Sequence, residues 1–121
     1  MMVEITDKNF DETIEHGLVL IDWSAAWCGP CRAFAPVFER AAAKHSDVVF
    51  AKVDTDAQPV LSAEFGIRSI PTLMAFRDGI LVFEQAGALP PATLEKLIEQ
   101  LRALDMDDVR RRIAEHERSA G

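Results

Sequence analysis

The sequence predicts an α/β domain: a mixed five-stranded sheet with helices on both faces, followed by a short helical extension. Three observations carry this reading. Residues 18–23 and 48–53 are apolar, partly β-branched runs of the kind that form buried parallel strands. Segments with apolar residues at helical spacing alternate with them, as a layered α/β fold requires. Asp78-Gly79, between two further apolar runs, marks an antiparallel hairpin that closes the sheet.

In chain order, residues 3–5 form a first strand, and Thr6 or Asp7 caps a helix whose Phe10 and Ile14 share a face before Gly17 ends it. Residues 18–23 make the central strand. A helix then runs from Cys28 to about His45, with Phe34, Val37, Phe38, Ala41 and Ala42 at helical spacing and a kink expected at Pro36. After the strand at 48–53, Pro59 opens a short helix that stops at Gly66. Residues 72–76 and 80–84 are the hairpin strands. Pro91 starts the last helix of the domain, with Leu94, Leu97, Ile98, Leu101 and Leu104 along one side.

The domain therefore covers residues 1–104, and 105–121 form a charged helical extension rather than a second domain. In that extension Val109, Ile113 and His116 fall at i, i+4 and i+7, and Asp105 or Asp107 offers an N-cap. Its apolar stripe is thin, so the helix must dock or fray, with residues 119–121 expected to be disordered. The run Arg110-Arg111-Arg112 reads either as a solvated face or as a docking surface for an acidic partner or a second copy of the chain.

With 121 residues, 49% of them hydrophobic, the chain can bury one core of ordinary size. A formal charge of −7 argues against nucleic acid or an anionic membrane as the main partner. No stretch is long enough to span a bilayer, and the first residues lack the basic and apolar regions of a signal peptide. The expected location is the cytoplasm, where a dithiol is more readily catalytic than structural.

Both cysteines lie in Trp27-Cys28-Gly29-Pro30-Cys31. Two thiols three positions apart are a dithiol or half of a metal site. A zinc or iron–sulfur site usually takes four ligands, and His16, His45 and His116 lie far from the motif and read as surface residues. The local pattern favours redox chemistry. Cys28 falls where a strand turns into a helix, exposed at the loop, where unpaired N–H groups and the helix dipole favour a thiolate. It is the expected nucleophile. Cys31, one turn deeper on the same face, is the expected resolving thiol. Pro30 suits a first helical turn, and Gly29 keeps the approach to sulfur free of side chain.

Asp22 stands in an otherwise apolar strand. It is either a buried carboxylate with a raised pKa, which points to function, or a strand-end acid that reaches solvent. Lys52, on the next strand, is either its partner or an ordinary exposed lysine.

These residues, together with Ile70-Pro71-Thr72, Asp78-Gly79 and Gly87-Ala88, make residues 3–104 resemble the thioredoxin family. The resemblance implies the thioredoxin fold and its strand order. It implies that Asp22 lies beneath the cysteines and accepts the Cys31 proton through water, with Lys52 as its partner. It implies a cis Ile70–Pro71 bond facing the cysteines. Trp27, Gly29, Pro30, Ile70, Pro71, Gly87 and Ala88 would then form the substrate surface around Cys28. The implied activity is reduction of disulfides in partner proteins, with a redox-active Cys28–Cys31 disulfide that a thioredoxin reductase re-reduces. On that reading the chain is a monomer that needs no cofactor of its own and holds no metal.

Four positions depart from the family pattern: Ser24 where a tryptophan is common, Arg32 for lysine, Ser69 for glycine, and Thr55 at an apolar contact position. They bear on reduction potential and partner preference rather than on the chemistry. Two other readings are an oxidase or isomerase of secreted proteins and a redox-regulated binding module without turnover. The absence of a signal peptide and the Gly-Pro between the cysteines speak against the first.

Overall fold

A computed structural model describes residues 2–120. The sheet comprises β1 (Met2–Glu4), β2 (Leu18–Ser24), β3 (Val49–Asp54), β4 (Thr72–Arg77) and β5 (Ile80–Ala86), in the order β1-β3-β2-β4-β5. β1 and β2 run parallel to β3, whereas β4 runs antiparallel to both β2 and β5. The sheet is therefore mixed and carries β2 at its centre. Asp78 and Gly79 form the hairpin turn with φ of 51° and 83°, the left-handed pair that matches strand twist.

The period-2 alternation of β2 divides the core between the two faces. Leu18 and Leu20 pack with Phe34, Phe38, Leu94 and Ile98, which come from α2 (Gly29–Lys44) and α4 (Pro91–Arg102). Val19, Ile21 and Trp23 point the other way, onto Phe10 of α1 (Phe10–Ile14) and Leu61 of α3 (Pro59–Glu64). Asp22 and Ser24 continue the first of these faces, the one that α2 covers.

Several local expectations change. The first helix begins later than Thr6 or Asp7 would allow: the Asn9 side chain accepts the Thr6 N–H at 2.7 Å and Thr6 Oγ1 accepts the Lys8 N–H at 3.2 Å. These side chains build a turn first, and Asn9 takes the N-cap position. α2, in contrast, keeps Pro36 inside one continuous helix from Gly29 to Lys44, as expected. His45 is not a free surface residue. Its Nε2 lies 2.7 Å from Glu95 Oε2 and its Nδ1 lies 2.7 Å from Arg102 Nη2, so it ties the end of α2 to α4.

The extension is helical, α5 (Met106–Ala120), and includes Ser119 and Ala120, against the expectation that they are disordered; Gly121 lies outside the described residues. Asp105 caps it, its Oδ1 accepting the N–H groups of Asp107 and Asp108 at 3.1 and 3.2 Å. Met106 is buried against the domain, and Arg110 reaches Asp78 of the hairpin at 3.5 Å. The arginine run is also paired within the helix, Arg110 with Asp107 and both Arg111 and Arg112 with Asp108. Its charge is thus largely matched at home. Among the described residues, no helix is long and apolar enough to cross a membrane.

Candidate active site

Residues 25–27 carry the chain from β2 into α2, and Cys28 occupies the N-cap of that helix with φ −83° and ψ 115°. Its Sγ accepts the Cys31 N–H at 3.2 Å. A sulfur there meets one of the backbone donors that the first helical turn leaves unpaired, together with the positive end of the helix dipole. Cys28 and Cys31 are joined in a disulfide with Cα atoms 5.2 Å apart.

The expectation that Cys28 is the exposed thiol and Cys31 the covered one needs correction. In the disulfide both are buried, at 5% and 4% exposure. The loop before Pro71 folds over the pair, bringing the Ile70 carbonyl oxygen to 3.7 Å from Cys28 Sγ. What distinguishes the two sulfurs is their place at the helix terminus.

Asp22 is 3% exposed, and its Oδ1 has no hydrogen-bond partner among the described residues. Burial pushes its pKa up to about 6, with the nearby Lys52 ammonium pulling in the opposite direction. The solvent-reaching alternative for Asp22 therefore fails. Lys52 is its register partner on β3 and is half-buried. A cavity of about 190 Å³ connects Asp22 and Lys52 with Cys31 and Arg32 of α2. A buried carboxylate, a cation and one sulfur of the redox pair thus share one small cavity.

On the outer side, Trp27 is 68% exposed, and its indole N–H donates to Asp56 Oδ2 at 2.8 Å. The Ile70–Pro71 bond is cis. The Gly87 N–H donates to the Pro71 carbonyl at 2.8 Å, with Gly87 at φ 99°, a conformation that disfavours any side chain. Gly29, Pro30, Gly87 and Ala88 are exposed, Ile70 is half-buried and Pro71 is buried. Beside Trp27, a cleft of about 200 Å³ is lined by Thr55, Ile67, Arg68, Ser69 and Ile70.

Two residues here escaped sequence reasoning. Asp56 holds the tryptophan, and the only trace of it is an acid in the loop after the third strand. Glu4 joins the lining of the Asp22 cavity, which only strand register reveals.

A helix-capping sulfur that closes a reversible bond with its neighbour one turn away defines a thiol–disulfide oxidoreductase. The thioredoxin family model matches residues 1–100, and the chain belongs to the thioredoxin family. It is 55% identical over 120 residues to a Streptomyces coelicolor protein provisionally named thioredoxin 2, covering 98% of this chain and 90% of that one. It is 46% identical over 99 residues to thioredoxin 1 of Synechococcus elongatus, covering 79% and 92%. Among solved structures, a mutant thioredoxin from Halobacterium salinarum superposes with a TM-score of 0.78 at 34% identity, covering 85% of this chain and 92% of that one. The activity is that of a protein-disulfide reductase working through the Cys28–Cys31 pair. The Streptomyces alignment spans nearly the whole chain, extension included, whereas the Synechococcus alignment is about as long as the domain alone.

Proposed function

We propose that Cys28 is the attacking thiolate and Cys31 the resolving thiol in the reduction of protein disulfides. The observation that carries this is the N-cap position of Cys28, whose sulfur accepts the Cys31 N–H at 3.2 Å. The Cys28 thiolate attacks one sulfur of the partner's disulfide, the partner's S–S bond breaks, and its other sulfur departs as a thiolate that takes up a proton. Asp22 accepts the Cys31 proton through the shared cavity, with Lys52 offsetting the charge that develops there. The Cys31 thiolate then attacks Cys28 Sγ. This releases the partner's second thiol and leaves the Cys28–Cys31 disulfide, so two electrons have passed to the partner.

Trp27, Gly29, Pro30, Ile70, Pro71, Gly87 and Ala88 form the rim on which an extended substrate segment rests, beside the Ile70 backbone. A thioredoxin reductase returns the electrons, so the chain works as a monomeric carrier in the cytoplasm without a cofactor. Residues 1–104 are the redox unit, and 105–121 are accessory to it.

The test is a trap. With Cys31→Ser, partner proteins from a cell extract should remain attached to Cys28 as mixed disulfides, and with Cys28→Ser they should not. Equal recovery with both variants would overturn the assignment.

A further inference from the structure

We propose that Glu4 is a positioning residue for the Asp22 proton step, acting by sharing Lys52 with it. This rests on the reading of Asp22 given above and adds the residue that sets the pH at which it works. The register pairs Glu4 of β1 with Lys52 of β3, and the same Lys52 with Asp22 of β2. Acid, base and acid therefore form one row across three adjacent strands. All three lie on the face covered by α2, because the neighbouring row two residues earlier is Met2, Phe50 and Leu20, part of the core beneath that helix.

Exposure is graded along the row: Glu4 is exposed, Lys52 half-buried and Asp22 buried. One cavity touches all three and reaches Cys31. Strands stand about 4.8 Å apart, so the backbones of Glu4 and Asp22 are roughly 10 Å from one another with that of Lys52 between them. The other charged groups on this cavity are Asp54, one row further along β3, and Arg32 of α2. Neither belongs to the Glu4 row.

A lysine head on four flexible methylenes divides its field between two acids according to their charge. Ionised Glu4 draws it toward the wet end of the cavity, and the Glu4 charge itself opposes a second negative charge at Asp22. Both effects favour the protonated form of Asp22. Removing the Glu4 charge releases Lys52 toward Asp22 and lowers the pH at which Asp22 ionises.

The experiment follows the Asp22 carboxyl carbon by NMR titration in the oxidised full-length protein. Glu4→Gln should lower the Asp22 midpoint by about 0.7 pH unit, of which ~0.3 is the direct effect of one screened charge at ~10 Å and the remainder comes through Lys52. Glu12→Gln, which removes an equal charge on the opposite side of the sheet, should leave it in place. In a Lys52→Met background, the effect of Glu4→Gln should fall to less than half. A midpoint that stays put or rises in Glu4→Gln overturns the proposal, as does an undiminished shift without Lys52. The midpoint is measured independently of turnover. A failure of the proton-acceptor reading would instead appear as an unchanged resolution rate in Asp22→Asn. Where both hold, the pH profile of resolution moves to lower pH in Glu4→Gln by the same amount as the midpoint.

Discussion

The indole N–H of Trp27 donates to Asp56 Oδ2 at 2.8 Å, so the most exposed large apolar side chain among the described residues is tied to a loop on a different strand connection. An aromatic ring fixed in this way loses little freedom when a partner settles on it. Asp56→Ala should therefore raise KM for insulin roughly two- to fivefold while kcat stays within about twofold, since a hydrogen bond to a charged acceptor is lost and no sulfur is touched. Trp27 fluorescence anisotropy should fall in parallel. An unchanged KM with a freed indole would show that the bond does not serve binding.

Asp22 predicts a stability that depends on pH with a definite sign. Its pKa rises from 3.8 to about 6 on folding, so between these values the folded state holds more protons than the unfolded state, and stability falls as pH rises. Above about pH 6 the full cost applies, about 3 kcal/mol for a difference of that size. Asp22→Asn should then stabilise the protein by up to about 3 kcal/mol at pH 8 and by little at pH 4. Urea unfolding at the two pH values measures this, and equal effects at both would contradict a buried, titrating Asp22. The same variant should slow release of the mixed disulfide.

Cys28 and Cys31 are almost equally buried, so exposure alone predicts no selectivity between them. The helix terminus does. In the reduced protein near neutral pH, iodoacetamide should modify Cys28 at least ~10-fold faster than Cys31, because only the thiolate reacts and the N-cap favours it. Mass mapping of singly alkylated protein would reveal the order, and preferential labelling of Cys31 would reverse the proposed roles.

The extension is held by Met106 in the core and by the Arg110 contact with Asp78. Truncation after Leu104 should lower stability by about 1–2 kcal/mol, the scale of one buried methionine, and leave insulin reduction within about twofold. The arginine run is paired with Asp107 and Asp108, so docking of an acidic partner through it would first require those pairs to open. Substituting all three arginines by glutamine should consequently leave the partners trapped by Cys31→Ser unchanged. Loss of trapped partners would restore the docking role.

Local chemistry in the chain was enough to determine the order of strands and helices, the Asp-Gly turn, the cysteine pair at a helix start and the anomaly of Asp22. Each of these depends on residues close together in sequence: alternation within a strand, spacing within a helix, turn residues, an acid in an apolar run. The family resemblance supplied the strand order. What tertiary structure alone decided depends on which distant residues meet. Cys28 is buried because the segment before Pro71, more than forty residues away, folds over it. Asp56 and Trp27 come from separate connections. His45 is drawn between Glu95 and Arg102 of a helix fifty residues further on. Glu4, Lys52 and Asp22 become neighbours only through register, which is set by the pairing of three strands and by the requirement that Met2, Phe50 and Leu20 share the core beneath them.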